Sequence, residues 1–266
     1  MHSPAHRIDT TRAHSARVYD YILGGKDHYP VDVEAGDAMC RHWPALPVHM
    51  RENRRFMHRA GHYLAREKGI RQFLDIGTGL PTSPNLHEVV QDVAPESHVV
   101  YVDNDPIVLA HARALLNSTP EGATAYVDAD MRDPDAVTRS PQFRELLNPD
   151  EPVGLMIIGI MHFIEPPDDQ PLVRRLLEPL PPGSYLAMTI GTGDFAPEEV
   201  GRVADEYNRQ NMPMVLRDLP TATSFFDGMD LVEPGVTQVH KWRPGAGQHQ
   251  VDDRDIAMYG AVALKP

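Results

Sequence analysis

From Arg71 onward, short apolar runs alternate with longer segments whose apolar residues recur at helical period. Contiguous apolar runs of four to eight residues read as buried strands, and a 3.6-residue period reads as amphipathic helix. The pattern predicts strands over 72–76, 98–102, 123–127, 153–160 and 185–190. Helices are predicted over 86–93, 107–116, 172–180 and 198–210. Pro106 suits the first position of its helix, where an N–H has no partner, and Pro181-Pro182-Gly183 ends another. Such alternation implies βαβ units and a parallel sheet, with the most apolar run, 153–160, at its centre. Beyond residue 210 the pattern changes: 231–236 and 257–264 are strand-like, and a hairpin closing the sheet edge fits them. The first seventy residues are polar and helical in period over 13–23 and 53–68, so residues 1–69 are expected to form a helical cap or lid. Residues 70–266 would then make one compact α/β unit.

Length and charge narrow the partners. The chain of 266 residues suffices for one large α/β domain with an extension. Its formal net charge of -13 argues against nucleic acid, which needs basic side chains to neutralise phosphates, although Arg51, Arg54 and Arg55 cluster locally. Cys40 is the single cysteine, so neither an intrachain disulfide nor a cysteine-rich metal site is available. His58 and His62 stand at i, i+4, but no glutamate accompanies them as in H-E-x-x-H, and with fourteen histidines such pairs arise by chance. No metal is expected. Residues 1–9 lack the apolar run of a secretory signal, and the apolar stretch 153–164 is too short to span a bilayer. These features predict a soluble, cytoplasmic protein with a small-molecule partner; oligomeric state is not legible.

Three acidic clusters fall at the carboxyl ends of successive predicted strands, the edge where open α/β sheets bind ligands. The first is Asp75-Ile76-Gly77-Thr78-Gly79, whose glycines permit a tight turn and close approach of a ligand. A diphosphate site would want a third glycine where Thr82 follows Pro81, which disfavours a nicotinamide dinucleotide. A carboxylate at Asp75 suits a cationic ligand group such as an ammonium. The second cluster is Asp103-Asn104, where an acid can accept both ribose hydroxyls. The third is Asp130-Met131, which offers an acceptor for an adenine amino group and a thioether for the purine face. Taken singly, each has a plainer explanation as a strand end, helix cap or solvated loop.

The run Phe73-Leu-Asp-Ile-Gly-Thr-Gly79, then Val102-Asp-Asn-Asp-Pro106 and Asp128-Ala-Asp130, resembles the motifs of class I S-adenosylmethionine-dependent methyltransferases. The segments Ala16-Arg-Val-Tyr-Asp-Tyr-Ile-Leu-Gly-Gly-Lys-Asp27, Glu52-Asn-Arg-Arg-Phe56 and Phe225-Phe-Asp-Gly228 narrow it to a bacterial S-adenosyl methyltransferase family of unassigned substrate. That resemblance implies a Rossmann-like, seven-stranded, mostly parallel sheet with its last strand antiparallel. With the residue readings above, cofactor contacts are expected at Tyr21, Asp75, Gly77, Thr78, Gly79, Pro81, Asp103, Asn104, Asp130, Met131, Gly159 and Ile160. The resemblance implies no acceptor.

The acceptor should sit near the fourth and fifth strand ends, Gly159-Ile-Met-His-Phe163 and Gly191-Thr-Gly-Asp-Phe195. No N/D-P-P-Y/F tetrad follows the fourth strand, which disfavours adenine or glutamine amides as acceptors. His162 is the titratable group placed to act as a base, although packing beside the cofactor is its commoner role. Tyr21, Lys26 and Asp27 read as a lid, with Lys26, Asp27, Asn53 and Arg54 on the substrate side. Two other functions fit the same residues: a non-catalytic module that binds S-adenosylmethionine, and, less well, a nicotinamide-dependent oxidoreductase.

Overall fold

The computed structural model describes residues 9–115, 117–245 and 250–266, with the side chains of residues 112–115 left aside. Leu116, predicted to end a helix, most of the polar run 1–9, and part of the loop 242–253 therefore lie outside the described residues.

Three helices come first: α1 (Ser15–Ile22), α2 (Pro30–His42) and α3 (Leu46–Glu67). The alternating part follows as β1 (Gln72–Ile76), α4 (Leu86–Val93), β2 (His98–Asp103), α5 (Pro106–Leu115) and β3 (Ala123–Asp128). Next come two short helices, α6 (Pro134–Thr138) and α7 (Pro141–Leu146), then β4 (Val153–Ile157) and a single 3-10 turn at Met161–Phe163. The chain continues through α8 (Asp169–Leu177), β5 (Tyr185–Gly191), α9 (Pro197–Arg209) and α10 (Leu219–Ser224). It closes with β6 (Asp230–Leu231), β7 (Thr237–Gln238) and β8 (Met258–Leu264).

The sheet order is β3-β2-β1-β4-β5-β8-β6, with β7 pairing β8 as well. Strands β1 to β5 are parallel, and β8 runs antiparallel to β5 from Tyr185↔Leu264 to Gly191↔Met258. The sheet is thus mostly parallel with an antiparallel edge, as expected, but it has eight strands among the described residues rather than seven. The extra strand arises because the predicted run 231–236 is broken. Pro234 has no N–H to give a ladder and Gly235 turns at φ +81°, leaving two-residue pieces, β6 and β7, on one edge of β8. Strand β4 also stops early, since Gly159 at φ +73° bends the chain out of the sheet.

Period-two alternation divides the sheet's faces. Leu74, Ile76, Val100, Val102, Leu155 and Ile157 join one core, covered by α6, α7, α8 and α10. Phe73, Val99, Tyr101 and Met156 join the other with Phe56, Ala60 and Leu64 of α3. The N-terminal helices therefore divide their duties: α3 is a layer of the sheet's own core, whereas α1 and α2 pack through Val18, Ile22, Met39 and Trp43 onto Val200, Val203 and Tyr207 of α9. Helix α2 was not expected. It starts at Pro30, whose fixed φ suits the first turn, and is held by reciprocal bonds between Tyr29 and Asp32. Asp32 is fully buried, pairs with Arg17 at 3.0 Å and accepts from His14 N at 2.9 Å, locking the start of α1 onto α2.

Candidate active site

The parallel strands bring the ends of β1 to β5 to one edge, where the glycine loop turns back on itself. The backbone N–H groups of Gly77 and Thr78 donate to Val102 O at 2.9 and 3.2 Å. Gly77 sits at φ +70°, where a side chain is strained, and a Cβ there would lie 2.2 Å from Ile160 Cδ1, so the end of that side chain would have to move. Gly79 N donates to Asp103 Oδ2 at 2.8 Å, while Asp103 Oδ1 accepts from Asp105 N at 2.9 Å. Asp105 in turn caps α5 by accepting from Ile107 N at 2.9 Å, and His14 Nδ1 approaches its other oxygen at 3.0 Å. Carboxylates thus link the glycine loop, the end of β2, α5 and the start of α1.

Burial dominates the electrostatics here. It raises Asp103 despite the two N–H donors that favour its charge. It pushes Asp75 up to about 7, with Arg54 opposing and the neighbouring Asp103 charge adding to the rise. Arg54 itself donates to Thr82 O and to Pro84 O, tying α3 to the far limb of the loop. Across the crevice Asp130 accepts from Asn104 Nδ2 at 3.0 Å and from Arg132 N at 2.9 Å, and Met131 is buried beside it. Gly159 donates to Thr189 Oγ1 at 2.8 Å, and Asn53 Nδ2 lies 2.9 Å from where a Cβ on Gly159 would stand.

These groups line one cavity of about 840 Å³, near the upper end of small-molecule sites, which span roughly 300–1,000 Å³. It brings together Asp75, Gly77, Thr78, Gly79, Asp103, Asn104, Asp130, Met131, Gly159, Ile160, Asn53, Arg54 and His162 from the expected set. Four expected residues stand outside. Tyr21 donates to Asp37 Oδ1 at 2.6 Å and packs edge-on to His28, facing α2. Residues two apart on a helix point to nearly opposite sides, so it is Tyr19 that faces the cavity, its Oη donating to Met50 O at 3.0 Å. Lys26 is exposed. Asp27 donates its N–H to Asp20 Oδ2 at 2.9 Å and sits 3.5 Å from His111, because the loop after α1 folds around the buried Asp20. Pro81 lies beyond Leu80, the last residue of the glycine loop on the cavity wall. His58 donates to Pro84 O at 2.9 Å.

His162, expected as a base, is in the cavity. Burial, aided by His49 and Arg217, drives its pKa down to about 3, which leaves a neutral ring of low basicity. Among the described residues its Nδ1 has no hydrogen-bond partner, nor has Asn53 Oδ1. Sequence reasoning missed Trp43, His49, Met50, Tyr207, Met212 and Met214, which line the far end. Trp43 and Met50 belong to stretches whose helical pattern was not read, and the loop 210–214 carries no pattern of its own.

A sheet of this order, with acidic strand ends around a glycine loop, defines the class I S-adenosylmethionine-dependent methyltransferases. The chain belongs to the S-adenosyl methyltransferase family, whose model matches residues 1–266. S-adenosylmethionine is accordingly its cofactor. The chain is 65% identical to a DUF574 family protein from Streptomyces avermitilis, covering 98% of this chain and 100% of that one, with a TM-score of 0.96. It is 36% identical to a candidate methyltransferase from Thermobifida fusca, covering 98% of both chains, with a TM-score of 0.89. No curated protein matches it. The residues present fit the cofactor. The carboxylates of Asp75, Asp103 and Asp130 line the cavity, acceptors of the kind that an ammonium, ribose hydroxyls and an adenine amino group would need. Among the described residues no group of histidine, cysteine, aspartate and glutamate side chains is arranged to hold a metal ion. No described helix is long and apolar enough to cross a membrane.

Proposed function

We propose that this methyltransferase acts on a small-molecule acceptor enclosed between the strand ends and the N-terminal helices. The observation that carries this reading is the continuity of the cavity, from the acidic strand ends through Asn53 and Gly159 to Trp43, His49 and Tyr207. When bound, the cofactor supplies an electrophilic methyl on a sulfonium. The protein's own work is to bind, orient and exclude water, which suffices for an in-line displacement by a well-placed nucleophile. In this reading Asp103 accepts the ribose hydroxyls, having lone pairs to spare beyond its two N–H donors. Asp75 takes the ammonium, Gly77, Thr78 and Gly79 line the cofactor's path, and Asp130 with Met131 holds the adenine. Gly159 and Ile160 form the floor, and Asn53 and Arg54 border the acceptor. The net charge of -13 suits such an acceptor better than nucleic acid, and a single cysteine suits a cytoplasmic setting.

Calorimetry with S-adenosylmethionine and NAD in parallel, on wild type and Asp103→Ala, tests the cofactor roles. Tritiated-methyl transfer in a cell extract then tests the acceptor. Label in the organic-extractable, low-mass fraction supports the proposal, and label in protein or nucleic acid overturns it. Tight cofactor binding with no transfer into any fraction would leave a cofactor-sensing module.

A further inference from the structure

The cavity segregates charge. Among the described residues, its charged side chains come from residues 9–17, from Arg54, and from the strand ends at Asp75, Asp103, Asp105, Asp130 and Arg132. Its other walls, residues 43–50, 158–164, 191–214 and 257–258, contribute no Asp, Glu, Lys or Arg. They contribute rings and thioethers, together with aliphatic side chains and the amides of Gln210 and Asn211. Trp43 lies against His49 with centroids 5.0 Å apart. Phe163 bridges His162 at 4.3 Å and Tyr207 at 5.4 Å. Met212 and Met214 complete the wall. The two histidines do not break the pattern, because burial lowers His49 to about 4 and His162 to about 3, so both are neutral at physiological pH. Among the described residues of the cavity, Asn53 Oδ1, on a residue 2% exposed, and His162 Nδ1, on one 7% exposed, are buried with neither a hydrogen-bond nor an ion-pair partner. Unpaired buried groups of this kind are costly unless a ligand satisfies them.

From this arrangement we infer that the acceptor is an uncharged, planar aromatic molecule carrying an O–H or N–H that pairs with Asn53 or His162; the inference rests on the small-molecule reading above. Flat rings match a wall of offset and edge-on aromatics. Thioethers adapt to ring edges. A charged acceptor would be taken from water into a chamber whose bordering cation, Arg54, already donates to Thr82 O and Pro84 O, a transfer that few cation–π contacts offset.

The test loads the full-length protein with S-adenosylhomocysteine and titrates it calorimetrically with three naphthalenes of similar size. They are neutral 2-naphthol, anionic 2-naphthoate and cationic 2-naphthylmethylammonium. The neutral probe should bind at least tenfold tighter than either ion, and Trp43→Ala should weaken it about tenfold while S-adenosylhomocysteine affinity stays the same. Met214 is partly exposed, so a carboxylate is tolerable there, and Met214→Glu should shift the preference toward the cation. Equal binding of the three, tighter binding of an ion, or no millimolar binding of 2-naphthol overturns the inference. Failure of S-adenosylhomocysteine itself to bind would instead strike the cofactor roles proposed earlier, which keeps the two failures apart.

Discussion

Asp75 offers the sharpest test, because one carboxylate makes opposite demands on the free and loaded protein. Its pKa rises from 3.8 to about 7 through burial. A carboxyl group held above its unfolded value contributes no penalty below about pH 4, and a penalty that grows as pH rises to about 7 and is constant beyond. At about 1.4 kcal/mol per tenfold change in proton affinity, that window is worth about 4 kcal/mol as an upper bound. Asp75→Asn should therefore leave the free protein's stability unchanged at pH 4 and raise it at pH 7.5 by up to that amount, read from urea unfolding. The same substitution should weaken S-adenosylmethionine about a hundredfold, since the ammonium loses its partner. Binding to wild type should also expel the proton that Asp75 carries: about 0.9 proton at pH 6 and about 0.1 at pH 8, by simple titration around 7. Calorimetry in two buffers of different ionisation enthalpy counts those protons. Buffer-independent enthalpy at pH 6, or a variant that binds as tightly as wild type, would refute the assignment of the ammonium to Asp75.

Other expectations follow from the same geometry. Gly77→Ala combines a left-handed backbone with a 2.2 Å approach to Ile160 Cδ1, so it should abolish measurable cofactor binding and lower Tm, with Ile160→Ala restoring only part of either. Asp169 and Arg217 pair at 2.7 Å with both side chains buried, and Asp169→Ala should destabilise by about 3–5 kcal/mol in urea unfolding because it strands a buried guanidinium. Arg217 also donates to Met161 O and Ile164 O around the turn that carries His162, so Arg217→Met should raise the acceptor's KM more than the cofactor's Kd. With His162 neutral above about pH 3, the acid limb of kcat between pH 5 and 7 should be the same in wild type and His162→Gln; a limb lost in the variant would restore the ring as the base.

The alternating half of the chain was legible because periodicity and packing agree there. Strand β1 occurs at 72–76 as the pattern predicts, and α4 at 86–93. The acidic strand ends were legible for the same reason, since parallel strands carry their carboxyl ends to one edge. Misreadings occurred where a single residue decides the outcome. Gly159 ended β4 three residues early, and Pro234-Gly235 split one strand into two. Tyr19 and Tyr21 are chemically equivalent in the sequence, and only the rotation of α1 against α2 selects the one that faces the cavity. The far end of the cavity was invisible because it is assembled from Trp43, α3, α9 and the loop at 210–214, segments distant in sequence and joined only by tertiary packing.

The broken strand has a consequence for how copies of this molecule meet one another. Strand β8 would otherwise present seven consecutive residues of unpaired backbone on its outer side, a template on which another chain could extend a sheet. β6 occupies one end of that edge and β7 the other, with Val232 N donating to Val262 O between them. Pro234 then interrupts the outer rim with a residue that cannot donate. Two scraps of strand thus serve colloidal solubility: they leave a neighbouring molecule no continuous ladder to join, and so guard a protein rich in buried β-structure against edge-to-edge aggregation.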